Sequence, residues 1–211
     1  MQVVSIKKEE TYEWLLYKHY AKRLAPISYA FGLYDKSKLV GVMTFGCPPN
    51  KEYNDGKCVF NNMKIKVLEL NRLIVNDGLK KNSLSFFVSQ SLRQLKKPLC
   101  IVSYADPNHN HYGFIYQATN WIYTGKSSPK HRYYFEDGST FDIRRGIENK
   151  GKVVRVEKLK RTHRYLYFLA NKKTKKNMYK NLKFDIKKYP KGDSQKYDTN
   201  YKPSEQKNLF I

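Results

Sequence analysis

Apolar positions along the chain follow two periods, and they mark out a mixed set of elements. Residues 3–6 form a short apolar run that suits a strand. Over residues 9–24, Tyr12, Leu15, Leu16, His19, Tyr20 and Leu24 recur three to four apart, which predicts an amphipathic helix closed by Pro26. Runs at 28–34 and 38–45 flank Asp35-Lys36-Ser37 and read as a hairpin, ended by Gly46, Pro48 and Pro49. Residues 50–66 read as an irregular loop. KVLELNRLIV, residues 66–75, reads as a strand with Leu68, Leu70 and Arg72 on one face. Ser83 suits an N-cap for a helix over 84–95, whose Phe87, Ser91 and Leu95 share a face. LCIVSY, residues 99–104, is almost wholly apolar, as in a sheet covered on both faces. A short helix over 112–119, a strand over 121–124, a strand over 164–169 and a helix over 173–182 follow. The fold class is therefore α/β, a mixed central sheet flanked by helices with a basic C-terminal extension.

Charge changes that picture. The chain has 211 residues, 41 Lys and Arg against 18 Asp and Glu, and a net charge of +23. Solubility does not require so much, and a polyanionic partner does. Residues 1–125 carry 17 bases and 9 acids, net +8; residues 126–211 carry 24 and 9, net +15. The expected division is a core over 1–125, a basic aromatic-rich extension over 126–191 that contacts nucleic acid, and a flexible tail over 192–211. A mean hydropathy of −0.73 with no long apolar run excludes a membrane-spanning helix, and the opening MQVVSIKKEE has no apolar stretch of a secretory signal. Cys47, Cys58 and Cys100 sit in unrelated contexts, without a CxxC, which argues against a disulfide scaffold or a cysteine zinc site.

Several positions invite chemistry. Arg72 lies in an apolar strand, where a guanidinium needs an anionic partner; Asp106, after the next strand, supplies one, or both face a ligand. The loop Asp77-Gly78-Leu79-Lys80-Lys81-Asn82, followed by Ser83 and Ser85 at a helix start, suits an anionic ligand, although a solvated surface turn suits the same residues. Asp106, His109 and His111 have spacing that a metal accepts, and a hydrated loop fits them too. Within residues 152–191, bases outnumber acids by 15 to two. There Arg161, Arg164, Lys172, Lys173, Lys175, Lys176 and Lys180 interleave with Tyr165, Tyr167 and Phe168. That mixture suits phosphates and stacked bases, with salt-sensitive, largely sequence-indifferent binding.

The stretches ELNRLIVNDGLKKNSLS (69–85), SYAD (103–106) and HYGFIYQATNWIYTG (111–125) resemble the phage Mom family, whose members modify adenine in DNA on a fold of the acyl-CoA N-acyltransferase (GNAT) type. RTHRYLYFLANKKTKKNMYKNL (161–182) resembles the basic tail common there. The resemblance implies an enzyme with Arg72, Asp106, Tyr116 and His19 in its centre: Asp106, with water or His19, as the acceptor or director of the amine proton, Arg72 as organiser of Asp106 or of the donor's carbonyl, Tyr116 as proton donor to the leaving group or as positioner of the donor, and His19 as a base or a metal ligand. By their chemistry, the Gln117 and Asn120 amides suit an adenine edge and equally suit caps of the short helix. The ligand loop, Gly78, Lys80, Lys81, Asn82, Ser83 and Ser85, would hold acetyl-CoA or a related acyl donor. It departs from the usual Arg/Gln-x-x-Gly-x-Gly/Ala pattern in having one glycine, and a catalytic iron is left open. The resemblance further implies double-stranded DNA with the target base flipped, an N6 carbamoylmethyl-like product that protects phage DNA from restriction, and residence in the cytoplasm of the infected host. No membrane partner is expected, and a homodimer is left open. Two other classes fit the residues: an N-acetyltransferase acting on a protein or tRNA amine, and a non-catalytic nucleic-acid-binding protein.

Overall fold

The structure, a computed structural model, describes residues 1–49, 51–143 and 151–192. Its strands in chain order are β1 (Gln2–Ser5), β2 (Tyr29–Asp35), β3 (Lys38–Gly46), β4 (Val67–Val75), β5 (Leu99–Ala105), β6 (Ile122–Lys126), β7 (Lys130–Phe135), β8 (Thr140–Ile143), β9 (Val153–Leu159) and β10 (His163–Leu169). Seven form one sheet in the order β1-β2-β3-β4-β5-β10-β6, and β8-β7-β9 form a small second sheet. The helices are α1 (Lys51–Asn54), α2 (Ser83–Gln94), α3 (Phe114–Ala118) and α4 (Lys172–Lys180). The fold is mixed α/β, with a large central sheet flanked by helices.

Both faces of that sheet are covered, which is why β5 is apolar throughout. On one face Leu68, Leu70, Ile101, Phe87, Trp121 and Tyr165 share a core with α2 and α3. On the other, Val67, Cys100, Val102, Leu166 and Phe168 pack with Val59, Phe60 and Met178 of α4, while Val42 and Ile74 pack with Trp14 and Leu15. Gly113 opens α3 at φ +81°, and a Cβ there would lie 2.4 Å from the Tyr165 ring, so only glycine lets the helix sit so close to β10.

Four expectations are corrected. The helix over 9–24 is shorter: a 3-10 turn at Lys8–Thr11 leads into a π turn at Trp14–Lys18, and His19 is extended at φ −75°, ψ 138°. The ring of Tyr20 stacks against His19 and against His109 of a distant loop, contacts that a continuing helix would forfeit. Ser83 is not the cap of α2. Asn82, left-handed at φ 67°, precedes the helix, and the Ser83 hydroxyl turns back to the Lys80 carbonyl at 2.6 Å. Within the expected loop 50–66, Lys51–Asn54 forms one helical turn.

The fourth correction concerns the boundary at residue 125. β10 lies between β5 and β6, in antiparallel register with both, so the sheet that begins near the N-terminus is completed from inside the basic extension. Nothing in a strand's own residues says which gap in a sheet it fills. The tail expected over 192–211 falls, beyond residue 192, outside the described residues. Leu166 is fully buried. The Leu166→Ala protein should therefore lose about 2–5 kcal/mol of unfolding free energy, the range for large-to-small core substitutions. Denaturant titration checks this, and an unchanged midpoint would make the extension a mere appendage.

Candidate functional site

The centre of the site is a break in the sheet. β4 and β5 run parallel, yet they pair only through Val67, Leu68 and Glu69 against Cys100, Ile101 and Val102. Beyond that point β4 follows β3 and β5 follows β10, and a gap opens at the carboxyl ends. Parting strands leave main-chain groups without ladder partners, which must be satisfied some other way. Ser103 does this: its hydroxyl lies 2.7 Å from the Leu70 carbonyl oxygen and 2.7 Å from the Tyr116 hydroxyl. The carbonyl can only accept, so Ser103 donates to it and Tyr116 donates to Ser103. Tyr116 is thereby fixed at the inner end of the gap, its ring packed on Trp121 and Tyr165.

A β-bulge decides which face Arg72 occupies. Thr44 pairs with Arg72 and Phe45 with Leu70, so Asn71 is the extra residue. Thr44 donates to the Asn71 side-chain oxygen at 2.6 Å, and Asn71 donates to the Pro26 carbonyl at 2.8 Å. The extra residue inverts the alternation: Leu68 and Leu70 face α2, but so do Leu73 and Val75, while Arg72 and Ile74 turn to the opposite face. The expectation of Arg72 beside Leu68 and Leu70 is therefore wrong. Arg72 Nη1 donates to the Asn71 carbonyl at 2.6 Å and Nη2 to the Arg23 carbonyl at 3.4 Å. Its Nε is buried and has no hydrogen-bond partner among the described residues. Among the described residues no ion pair joins Arg72 to Asp106.

Asp106 instead holds its own loop. Its carboxylate accepts from Asn108 N at 2.9 Å and Asn108 Nδ2 at 2.6 Å, and Asn108 in turn bridges to both main-chain groups of Lys160. That loop presents His109 and His111 to Tyr20, with ring centroids 4.3 and 5.4 Å away. Tyr20 is the meeting point that periodicity hid. Its hydroxyl is pushed up to about 12 by burial and by the Asp106 charge, with Arg72 and Arg23 pulling the other way. Tyr116 is likewise raised, by burial first, and Tyr20 adds to it. Arg72, Asp106, Tyr20 and Tyr116 thus share one electrostatic environment at the sheet's opening. The signal for Tyr20 in the sequence was its place beside His19 in KHYAKR.

His19 is placed beside Arg72, but as a donor. Burial, then the charge of Arg72, lower its pKa to about 3. Its Nδ1 accepts the Ala21 N–H at 3.0 Å, so the neutral ring carries its proton on Nε2. A base at neutral pH needs a free lone pair, and this ring has none to offer. The cluster of Asp106, His109 and His111 does not assemble as metal ligands: among the described residues no group of three His, Cys, Asp or Glu side chains is arranged to hold a metal.

The remaining expected residues lie around this centre. Lys80 and Lys81 are exposed on the loop before α2, Gly78 is left-handed with open space around it, and Ser85 donates to the Asn82 carbonyl at 3.0 Å. A cavity of about 440 Å³ joins Asn82, Ser85 and Ser89 to Thr119, Asn120 and Tyr167. Phe86 and Ala118 complete its lining, and Lys80 and Lys81 are not among the residues that line it. Gln117 is not free for a base edge, because its amide nitrogen reaches the Tyr165 hydroxyl at 3.2 Å. Lys172, Lys173, Lys176 and Lys180 are exposed on α4, and Lys175 lies 5.8 Å over the Tyr167 ring. Among the described residues no helix is long and apolar enough to cross a membrane.

A strand gap carrying an arginine, two tyrosines and an acidic loop is a polar centre in an apolar sheet, the design of an enzyme site. The chain matches the model of the Mom protein family over residues 1–191, and it belongs to that family. It is 30% identical over 192 residues to the methylcarbamoylase mom of Escherichia phage Mu, covering 82% of this chain and 77% of that one. Among solved structures, it resembles Arabidopsis thaliana NAA60 in complex with a bisubstrate analogue, at a TM-score of 0.45 and 14% identity, over 79% of this chain and 97% of that one.

The folded-state pKa of His19 lies below its unfolded value, so between about pH 6.5 and 3 the unfolded chain binds more protons. Stability should therefore fall as pH drops through that window, and His19→Gln should flatten the fall. Unfolding midpoints at pH 7 and pH 5 test this, together with a ring resonance for His19 that does not titrate between pH 8 and pH 5.

Proposed function

We propose that this protein is a phage DNA-modifying transferase that adds a small acyl-derived, carbamoylmethyl-like group to the N6 amine of adenine, shielding phage DNA from host restriction. The observation that carries this reading is the buried, unpartnered Nε–H of Arg72 at the opening between β4 and β5. A buried donor without an acceptor costs free energy, about 1–3 kcal/mol, unless a ligand oxygen completes it. Family membership and the similarity to a methylcarbamoylase support the chemistry; the charge of +23 supports nucleic acid as substrate.

In this reading the exposed bases of the extension hold duplex DNA by its phosphates. The adenine amine is a poor nucleophile, its lone pair delocalised into the ring, and it is paired in the duplex, so the base is flipped into the gap. Asp106, directly or through a water, takes the amine proton as the new N–C bond forms. Arg72 Nε donates to the donor's carbonyl oxygen. Tyr116, locked to Ser103, positions the reacting groups, and Tyr20 stands opposite it as a neutral hydroxyl able to return a proton to the leaving group. Asn82, Ser85, Lys80 and Lys81 would hold the phosphate end of the donor; for a carbamoylmethyl-like product the donor's bond between its methylene carbon and the leaving group breaks as the N6–C bond forms, and the leaving group departs with the proton from Tyr20. The cytoplasm of the infected host, where phage DNA resides, is the expected site of action.

DNA co-expressed with the protein, digested to nucleosides and analysed by mass spectrometry, should contain a deoxyadenosine of increased mass; an unchanged nucleoside profile would overturn the reading. Asp106→Asn retains the side-chain oxygen that accepts from Asn108 and removes the charge. It should cut modification by about 100-fold or more, the lower range for a lost general base, while leaving duplex affinity within twofold. Tyr116→Phe should lower modification with similar selectivity.

A further inference from the structure

A second basic site lies along the sheet from this centre, where the chain after α4 folds back over the edge strand. From Lys183 onward it covers β6: Lys187 N donates to the Tyr123 carbonyl at 2.9 Å, and the Tyr189 hydroxyl donates to the Trp121 carbonyl at 2.7 Å. Between this strap, β6 and the start of β10 is a cavity of about 430 Å³. Lys126, Arg161, Arg164, Lys183 and Lys187 line it, against one carboxylate, Asp185. Among the described residues none of the five cations is in an ion pair. Like charges held this close repel, and the arrangement is stable in company with an anion.

Three of the cations are anchored, Lys183 through a hydrogen bond from Nζ to the Lys57 carbonyl at 2.7 Å and the two arginines through forks of several contacts. Arg164 Nε donates to Thr124 Oγ1 at 2.9 Å and Nη2 to the Thr124 carbonyl at 3.0 Å, and its guanidinium lies 3.5 Å over the Phe184 ring. Three of its five N–H donors remain, in a plane fixed by that stack. Arg161 is anchored to the carbonyls of Ser127 and Lys126. Gly125, at φ +86°, takes a left-handed conformation that favours glycine, and the Lys187 methylenes run past it at ordinary contact distance, 3.4–3.6 Å from where a Cβ would stand. Lys126 also depresses His163, second to burial, so this histidine stays neutral beside the pocket.

Register places the pocket relative to the gap. Ala105, which precedes Asp106, pairs with His163 of β10, and His163 pairs with Lys126 of β6. Two strand spacings, roughly 10 Å, therefore separate Lys126 from the end of β5. We propose that the strap pocket seats a backbone phosphodiester of the DNA strand whose neighbouring base enters the gap, so that it sets the register of the flipped nucleotide, with the α4 lysines as an outer, looser contact. This rests on the reading of the protein as a DNA-modifying enzyme.

The test is duplex binding by anisotropy with a labelled oligonucleotide of about 20 base pairs, followed across salt, for the wild type, the double variant Lys126→Ala/Lys187→Ala and the variant Arg164→Lys. Each lost phosphate contact lowers the slope of log affinity against log salt by about 0.9, so the double variant, losing the one phosphate that the pocket seats, should lose about 0.9 from the slope. Arg164→Lys keeps the charge and loses the fork; it should bind with nearly the same slope yet modify DNA less. A wild type that does not bind duplex overturns the DNA reading itself. A wild type that binds, with a double variant of identical slope, overturns only the pocket. Inorganic pyrophosphate titrated into both proteins closes the alternative: if the double variant loses pyrophosphate binding while its duplex slope is unchanged, the pocket serves a free phosphate compound and the proposal fails.

Discussion

The parting of β4 from β5 is the constraint on which the rest depends. Two adjacent parallel strands that stop pairing after three residues leave carbonyl and amide groups facing a gap. A closed, apolar sheet would have no use for polar side chains there; an open one requires them. Ser103 answers the Leu70 carbonyl, Tyr116 answers Ser103, and Arg72 answers the Asn71 carbonyl. The candidate centre is thus the way the fold satisfies its own broken ladder, with the Arg72 Nε donor, beside the strand opening, left without a partner among the described residues. That surplus gives the site a purpose that hydrogen-bond closure alone does not.

The electrostatics follow from the same opening. Burial keeps Tyr20 and Tyr116 protonated and the His19 ring neutral, so at neutral pH the gap contains neutral donors among the charges of Arg72, Arg23, Asp106 and Glu69. A poor nucleophile such as an aromatic amine is served by a fixed acceptor and fixed donors that need no reorganisation when charge develops. The basic character of the protein lies outside the gap, on α4 and under the strap, where phosphates rather than reacting atoms would be met.

The strap gives the C-terminal region a meaning that composition concealed. Its lysines read as part of a basic extension that contacts nucleic acid, and as a loose contact they would need no structure. Instead β10 supplies an inner strand of the sheet, α4 is pinned by Met178 and by Phe168 against Tyr179, and the segment beyond covers the edge of β6. Covering an edge strand also removes a surface prone to pairing with other chains.

Local pattern sufficed for much of this. The hairpin of β2 and β3, the strands β4 and β5, the helix α2 and the basic stretch were all legible, because period-two and period-3.6 burial and turn residues act within a few positions. The residues Arg72, Asp106, Tyr116 and His19 stood out as chemically costly or as matches to family motifs. What the chain alone did not disclose depends on contacts between distant segments. The bulge at Asn71 moved Arg72 to the other face, the stack of Tyr20 on His109 ended the first helix early, and β10 crossed the boundary drawn at residue 125. A residue's periodicity records what it would bury, and only the assembled sheet decides where a strand opens, which side chain is turned into the opening and which lone pair is already taken.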